Sequence, residues 1–407
     1  MLQIGLATSL GYIVPFFVCA SFYAGKKSAS VFRLKFKGFS PKLCAEMIRL
    51  SAPMGVAKGS KALGGLIINN LLTSFNMPYL VAAHGVFAQI TVFVRAAWYA
   101  PADTLMAFAG VFVGEEDKKS IKLSQKLSLL HALIMSSVVT VVLFVFCDPL
   151  AAFFLKSDNP EALELAKQCI KVSCLSLPFH TIVYNFNNYL MGIKRLRFAN
   201  IYSFLIECGN LIPITFLMLR VIGYEGAFIS KIFNMAGLSL IALLYIFLNR
   251  EGKSFSDKML LMPRDFGTTP ENEISVIASS TQEIEELSKI AIAFAMEHGA
   301  DKKRARKYGL ITEELSVFLA EHCFIDGKEH NINMRLVSKG DDLIICMRDD
   351  CKPMNPQEQL QIFKPEDEMD NIGLRIVYGC IKDISYSNTM KMNHLMLRLT
   401  HDGSITD

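Results

Sequence analysis

Tryptophan occurs once in 407 residues, no acidic residue precedes Glu46, and the ten cysteines include no Cys-x-x-Cys pair. Without paired cysteine or histidine spacing there is no zinc framework, and the thiols read as small buried hydrophobes of a reducing compartment. A Walker A loop and the motifs of serine, cysteine and metal hydrolases are also absent. The surplus of base over acid, 42 against 38, is too small for a nucleic-acid partner. Leu2–Ala24 has no basic n-region and runs into charge rather than a small-residue cleavage site, which excludes a secretory signal. Long apolar runs are missing from residues 251–407 and crowd residues 1–250.

A membrane helix needs about 20 mostly apolar residues, because hydrocarbon leaves backbone polar groups unsatisfied. Spans are expected near 3–24, 50–75, 80–113, 128–155, 168–191, 199–220 and 227–248. The third is too long for one straight crossing, and Lys58 and Lys61 interrupt the second. Alternate connections are basic: Lys26 to Lys42, then Lys118 to Lys126, then Lys194 to Arg197. The positive-inside rule assigns these to the cytoplasm, and with them the polar C-terminal part. The expected location is the plasma membrane of a bacterium, with the first residues outside. So abrupt a start reads as the C-terminal part of a longer protein.

Ser40–Gly59 (SPKLCAEMIRLSAPMGVAKG), Pro101–Lys119 (PADTLMAFAGVFVGEEDKK) and Asn187–Ile201 (NNYLMGIKRLRFANI) carry a family likeness. They resemble the entry, second helix and late connection of the second lobe in multidrug and toxic compound extrusion (MATE) transporters. The resemblance covers about residues 1–250 and corresponds to the family's sixth helix plus that lobe. It implies exchange of a drug, small molecule or cation against Na⁺ or H⁺ across the lipid bilayer. A lone lobe cannot enclose a central cavity, so a second lobe or a homo-oligomer is the implied partner. A lipid-linked sugar flippase of the same superfamily is an alternative.

Polar residues inside apolar spans are functional candidates, since burying charge in lipid is costly. Arg95 and Asp103 lie eight residues apart, about 80° around a helical wheel, and are expected to border one cavity. Glu207 and Asn210, three apart, are expected on one face. Interhelical bonding is the competing reading of each.

Residues 251–270 read as a linker, and 271–407 as an α/β sandwich with helices on one face of a mixed sheet. Strands are expected at Glu273–Ile277, Asn331–Val337, Asp342–Arg348, Ile384–Ser387 and His394–Leu399. Helices are expected at Gln282–Met296 and Lys302–Cys323. Shorter helices are expected near Pro356–Phe363 and Gly373–Cys380.

Tyr308–Phe324 (YGLITEELSVFLAEHCF), Met347–Pro356 (MRDDCKPMNP) and Asp370–Val377 (DNIGLRIV) resemble three motifs of GHKL (Bergerat-fold) ATPases, of the anti-sigma serine-kinase type. The resemblance implies ATP as cofactor. Asp349 would accept from the adenine amino group, Glu314 would orient water or a substrate hydroxyl, and Gly373 would open a phosphate-cradling helix. The sequence departs from the pattern at three places. Phe318 replaces the Mg²⁺-binding Asn, and Cys351 and Asn371 replace glycines. A domain that binds nucleotide without turnover, or contacts a cytoplasmic regulatory protein, is therefore expected. A membrane-tethered signalling module that binds or phosphorylates such a protein is the alternative to transport.

Overall fold

The computed structural model describes residues 10–11, 13–21, 40–75, 77, 79–155, 159–249, 254–263, 265–323, 330–353, 377 and 383–399. The chain forms two compact units, Met1–Ala52 and Pro53–Asp407. Helical residues 13–21 and the opening turns of α1 (Pro41–Thr73) belong to the first.

In the second unit, α1 buries Ser60, Gly64, Ile68 and Leu72, a four-residue spacing that makes one inward face. Next come α2 (Leu80–Val94) and α3 (Ala96–Gly114), so the overlong span near 80–113 breaks at Arg95. Unbroken, it would run about 50 Å against about 30 Å of hydrocarbon. Helical bonding nonetheless passes through the break: Arg95 N–H donates to the Thr91 carbonyl, and Tyr99 N–H to that of Arg95.

α4 (Lys118–Val145) stops shortly before Pro149, which cannot donate back to Val145, and α5 (Cys147–Leu155) follows. α6 (Pro160–Ser173) and α7 (Leu177–Gly192) meet at a single 3₁₀ turn. α8 (Leu196–Phe204) continues through a π turn at Leu205–Gly209 into α9 (Leu211–Ile222), and α10 is Gly226–Leu248.

Among the described residues four helices are long and apolar enough to cross a membrane: Ala96–Gly114, Lys118–Val145, Leu196–Ile222 and Gly226–Leu248. The remaining expected spans fall into shorter or charge-interrupted pieces, and 3–24 lies partly outside the described residues. The bundle is apolar outside, and polar bonds cross its apolar interior. Phe93, Val141, Val221 and Leu248 are each more than 60% exposed. Inside, Thr181 Oγ1 donates to Ser136 (3.0 Å), Asn187 Nδ2 to Ser203 (3.1 Å), and Tyr202 Oη to the Leu238 carbonyl (2.9 Å). Such bonds hold helices together where lipid removes the hydrophobic drive.

The expected linker is only partly a linker. Its short helix α11 (Phe255–Met259) delivers Leu260 and Leu261 into the core formed by Tyr189, Leu238 and Ala242. Tyr189 Oη donates to the Leu260 carbonyl (2.6 Å) and Gln125 Nε2 to that of Met259 (3.0 Å).

Beyond it lie β1 (Glu273–Ala278), α12 (Thr281–Glu297), α13 (Lys302–Cys323), β2 (Ile332–Lys339), β3 (Asp342–Asp349), β4 (Asp383–Thr389) and β5 (Met392–Leu399). Ser280 caps α12 by accepting from Glu283 N–H. The expected helices near Pro356–Phe363 and Gly373–Cys380 lie outside the described residues, apart from helical Val377.

The sheet order is β1-β2-β3-β5-β4, and all four neighbouring pairs are antiparallel, where a mixed sheet was expected. α12 and α13 cover one face through Met334, Leu336, Ile345, Met347, Leu395 and Leu397. Val337, Ile344 and Cys346 point to the other face and are also buried. A central strand as continuously apolar as β3 needs cover on both sides.

Candidate transport cavity and a docked sheet

Two adjoining cavities open within the helical bundle. The first, of about 280 Å³, is lined by Lys61, His84, Arg95, Trp98, Glu207 and Lys231 among others. The second, of about 270 Å³, includes Lys58, Asp103, Asn187 and Asn188, and shares Arg95, Tyr99, Tyr184 and Glu207 with the first. The lysines that interrupt the second expected span therefore face cavities.

Arg95 and Asp103 border one cavity, as their wheel angle predicts, without forming an ion pair. Instead Asn188 Nδ2 donates to Asp103 at 2.7 Å. Glu207 accepts from Tyr184 Oη at 3.0 Å. Gly64 on α1 passes close to this point, and a Cβ there would collide with the Glu207 carbonyl oxygen. Asn210 departs from expectation. The π turn closes Asn210 N–H onto Leu205 rather than Ile206, which rotates its side chain away from Glu207, and Nδ2 bonds Asn234 Oδ1 at 2.8 Å. It does not line either cavity.

Sequence reasoning passed over Lys231, His84, His180 and Trp98. Lys231 lies inside the apolar run 227–248, so the rule that marks Glu207 marks it equally. Its ammonium sits 4.2 Å from the Phe87 ring centroid.

The second charged region joins the α3–α4 turn to the outward face of the sheet. Arg335, Arg348 and His394 alternate with core residues along β2, β3 and β5. Arg348 meets both Glu115 and Asp117, the latter at 2.6 Å, and its guanidinium stacks 4.7 Å from the Phe112 ring centroid. His394 Nδ1 donates to the other Glu115 oxygen at 3.1 Å. Arg335 bonds Glu273 (2.8 Å) and the Glu115 carbonyl (3.0 Å), and Lys339 pairs with Glu116.

The lysines that mark a basic connection also serve here. Lys119 pairs with Glu273 at 2.6 Å, and Lys118 and Lys122 pair with Asp257 at 3.0 and 2.7 Å. Burial alone would raise the Glu115 and Asp117 pKa values. Hydrogen bonds from His394 and Ser120, with the Arg348 charge, hold both below the ordinary carboxylate range.

Among the residues singled out for nucleotide chemistry, Asp349 ends β3 and Glu314 and Phe318 lie on α13. Phe318 is buried in the α/β core with Leu315, Cys351 and Val377, so three motif segments converge there around apolar packing. Asp349 accepts from Asn393 Nδ2 (2.6 Å) and Cys351 N–H (3.1 Å), and burial raises its pKa despite those bonds. Glu314 is half-buried on α13. Asn371 and Gly373 lie outside the described residues.

Fitting Mg²⁺-nucleotide to this set fails at the metal position, where an aromatic ring replaces an oxygen ligand, and at Asp349, whose carboxylate serves internal donors. His330, Asp350 and Cys351 gather within 4.8 Å, but Cys351 is disulfide-bonded, unlike the free thiols expected, and offers no thiolate.

The MatE family model matches residues 53–217, the stretch that builds most of both cavities. Residues 53–217 are therefore similar to MatE. No curated protein matches the chain. Among solved structures, a MOP superfamily transporter from Pyrococcus furiosus is 18% identical, with a TM-score of 0.46, over 67% of this chain and 64% of that one. A mutant of the Vibrio cholerae MATE transporter VcmN is 17% identical, with a TM-score of 0.47, over 59% and 52%. The chain thus spans about half to two thirds of the length of these transporters. The matched stretch ends within α9, leaving Lys231 on α10 and the whole sheet outside the match.

Proposed function

We propose that the chain acts as one lobe of a MATE-type membrane transporter, with its α/β layer as a cytoplasmic regulatory domain of GHKL descent. The observation that carries the transport reading is a cavity of ionisable groups lined mostly by helices of the residues that match MatE. Charge at such depth is costly unless it handles solute or ion. A second lobe or a second copy would close the cavity from the open side. The basic connections support a cytoplasmic sheet, whose grip on the α3–α4 turn would bias the bundle between its states. Such bias requires contacts that differ between the states. We assign no ATP turnover to the layer, because Phe318 stands where the resembled family carries its Mg²⁺-binding Asn.

Reconstituting the full chain in vesicles and following solute efflux under an imposed H⁺ or Na⁺ gradient tests this reading. Arg95→Gln and Glu207→Gln should each abolish gradient-driven flux, and Arg348→Met should alter its rate with the cavity intact. Flux that survives all three substitutions would reject both roles.

A further inference from the structure

We infer that the first cavity takes an amphipathic anion, not the cationic solute that its family likeness suggests. The inference rests on the reading of this cavity as a solute site. Lys61, Arg95 and Lys231 supply three cations to its wall, whereas Glu207 supplies the one carboxylate. None of the three cations forms a salt bridge within the described residues. Lys231 rests on the Phe87 ring, and Glu207 is engaged by Tyr184.

Trp98, 2% exposed in the same wall, has an indole N–H with no hydrogen-bond acceptor. Indole donates and cannot accept, so only an acceptor satisfies it. An oxyanion would give Lys61, Arg95 and Lys231 the salt-bridge partner they lack among the described residues, and would offer oxygens to donors. Ile68, Phe87, Leu211 and Met235 add apolar surface to a wall that also carries hydroxyls and imidazoles, and they suit a hydrophobic body. The ligand class is therefore a carboxylate, sulfonate or phosphate on an aromatic or acyl frame.

Trp98 is the chain's single tryptophan, so its fluorescence reports this cavity and nothing else in the protein. The full chain in zwitterionic nanodiscs is titrated with 1-pyrenesulfonate and, separately, with 1-pyrenemethylammonium, which share one aromatic body and differ in charge. Saturable energy transfer from Trp98 to the sulfonate, at an affinity at least about tenfold above that for the ammonium, is expected. Lys231→Met should weaken the sulfonate about tenfold or more and leave the ammonium unchanged or tighter. Lys61→Met gives the same direction if the first variant does not fold. Repeating the titration with phosphatidylglycerol in the disc separates the sources. Competition identifies a lipid headgroup, and its absence identifies a free solute.

Preference for the ammonium, or equal affinity for the two probes, would overturn the assignment while leaving MATE-type transport standing. Absence of transfer from either probe would also overturn it, and the vesicle flux then decides separately whether the chain transports.

Discussion

The bundle cavity and the docking face are both rich in charge, and they differ in how that charge is balanced. At the docking face every acid of the α3–α4 turn meets a base: Glu115 and Asp117 share Arg348, and Glu116 meets Lys339. Glu273 is held by Arg335 and Lys119. In the cavity, Lys61, Arg95 and Lys231 face one carboxylate and form no ion pair within the described residues. Matched charge at low exposure serves as an adhesive whose removal on one side is destructive. Unmatched charge serves as a receptor. The same residue types therefore carry opposite meanings, decided by their partners.

Arg348→Met probes the contrast most severely. It strands Glu115 and Asp117, each 5% exposed, without their cation. A loss of about 4 kcal/mol in thermal or denaturant unfolding is expected, with protease sensitivity appearing between α10 and β1. Phe318→Asn tests whether apolar packing has replaced metal chemistry in the α/β core. A loss of about 3 kcal/mol is expected, with no Mg²⁺-dependent ATP binding by calorimetry.

Acid should act on the docking face before it acts on the cores. Glu115 and Asp117 titrate below their ordinary values of 4.5 and 3.8 when docked. The detached carboxylates thus take up protons first, and acid favours detachment. Docking is complete above those values and fades as pH falls through the lowered ones, measurable as cross-linking between the α3–α4 turn and β3.

Lys231→Met should move stability in the other direction, raising it by about 1 kcal/mol, because a buried cation with a ring contact but no salt bridge among the described residues is replaced by an apolar chain. Lys339→Ala closes the series. Its pair with Glu116 is 40% and 34% exposed, so less than about 1 kcal/mol should be lost in the same unfolding measurement. A loss from Lys339→Ala as large as that from Arg348→Met would break the rule that burial of the pair sets its worth.

Much of the α/β layer was legible locally. α13 occupies the expected Lys302–Cys323, and β1, β2, β3, β4 and β5 fall within two residues of expectation. Periodicity and turn chemistry act over a few residues, so they can be read from a short window. The destination of Arg348 could not be read that way. Its partner Glu115 is 233 residues distant, and an arginine alternating with apolar neighbours looks like one facing water. The apolar continuity of β3 was the available signal that both faces are covered.

In the bundle, the wheel angle between Arg95 and Asp103 gave the right cavity because the bonding stays helical across the break. The same arithmetic failed for Glu207 and Asn210, since a single π turn changes the phase between them. Hydropathy did not show the helix boundaries before Pro149 and at the 3₁₀ turn Cys174–Ser176. The nucleotide expectation rested on a likeness of strings, which do not display the packing of Phe318 or the internal bonds of Asp349.

The seating of Leu260 and Leu261 among α7 and α10 has a practical corollary for anyone wishing to separate the two halves. Lengthening the stretch around residues 249–254 would leave the sheet where it is, because the fastening is a bolt rather than a leash. Cutting after α10 would remove two core side chains along with the sheet and leave the Tyr189 hydroxyl without its carbonyl. A clean division keeps everything through Met262 with the helices and severs the chain between there and β1.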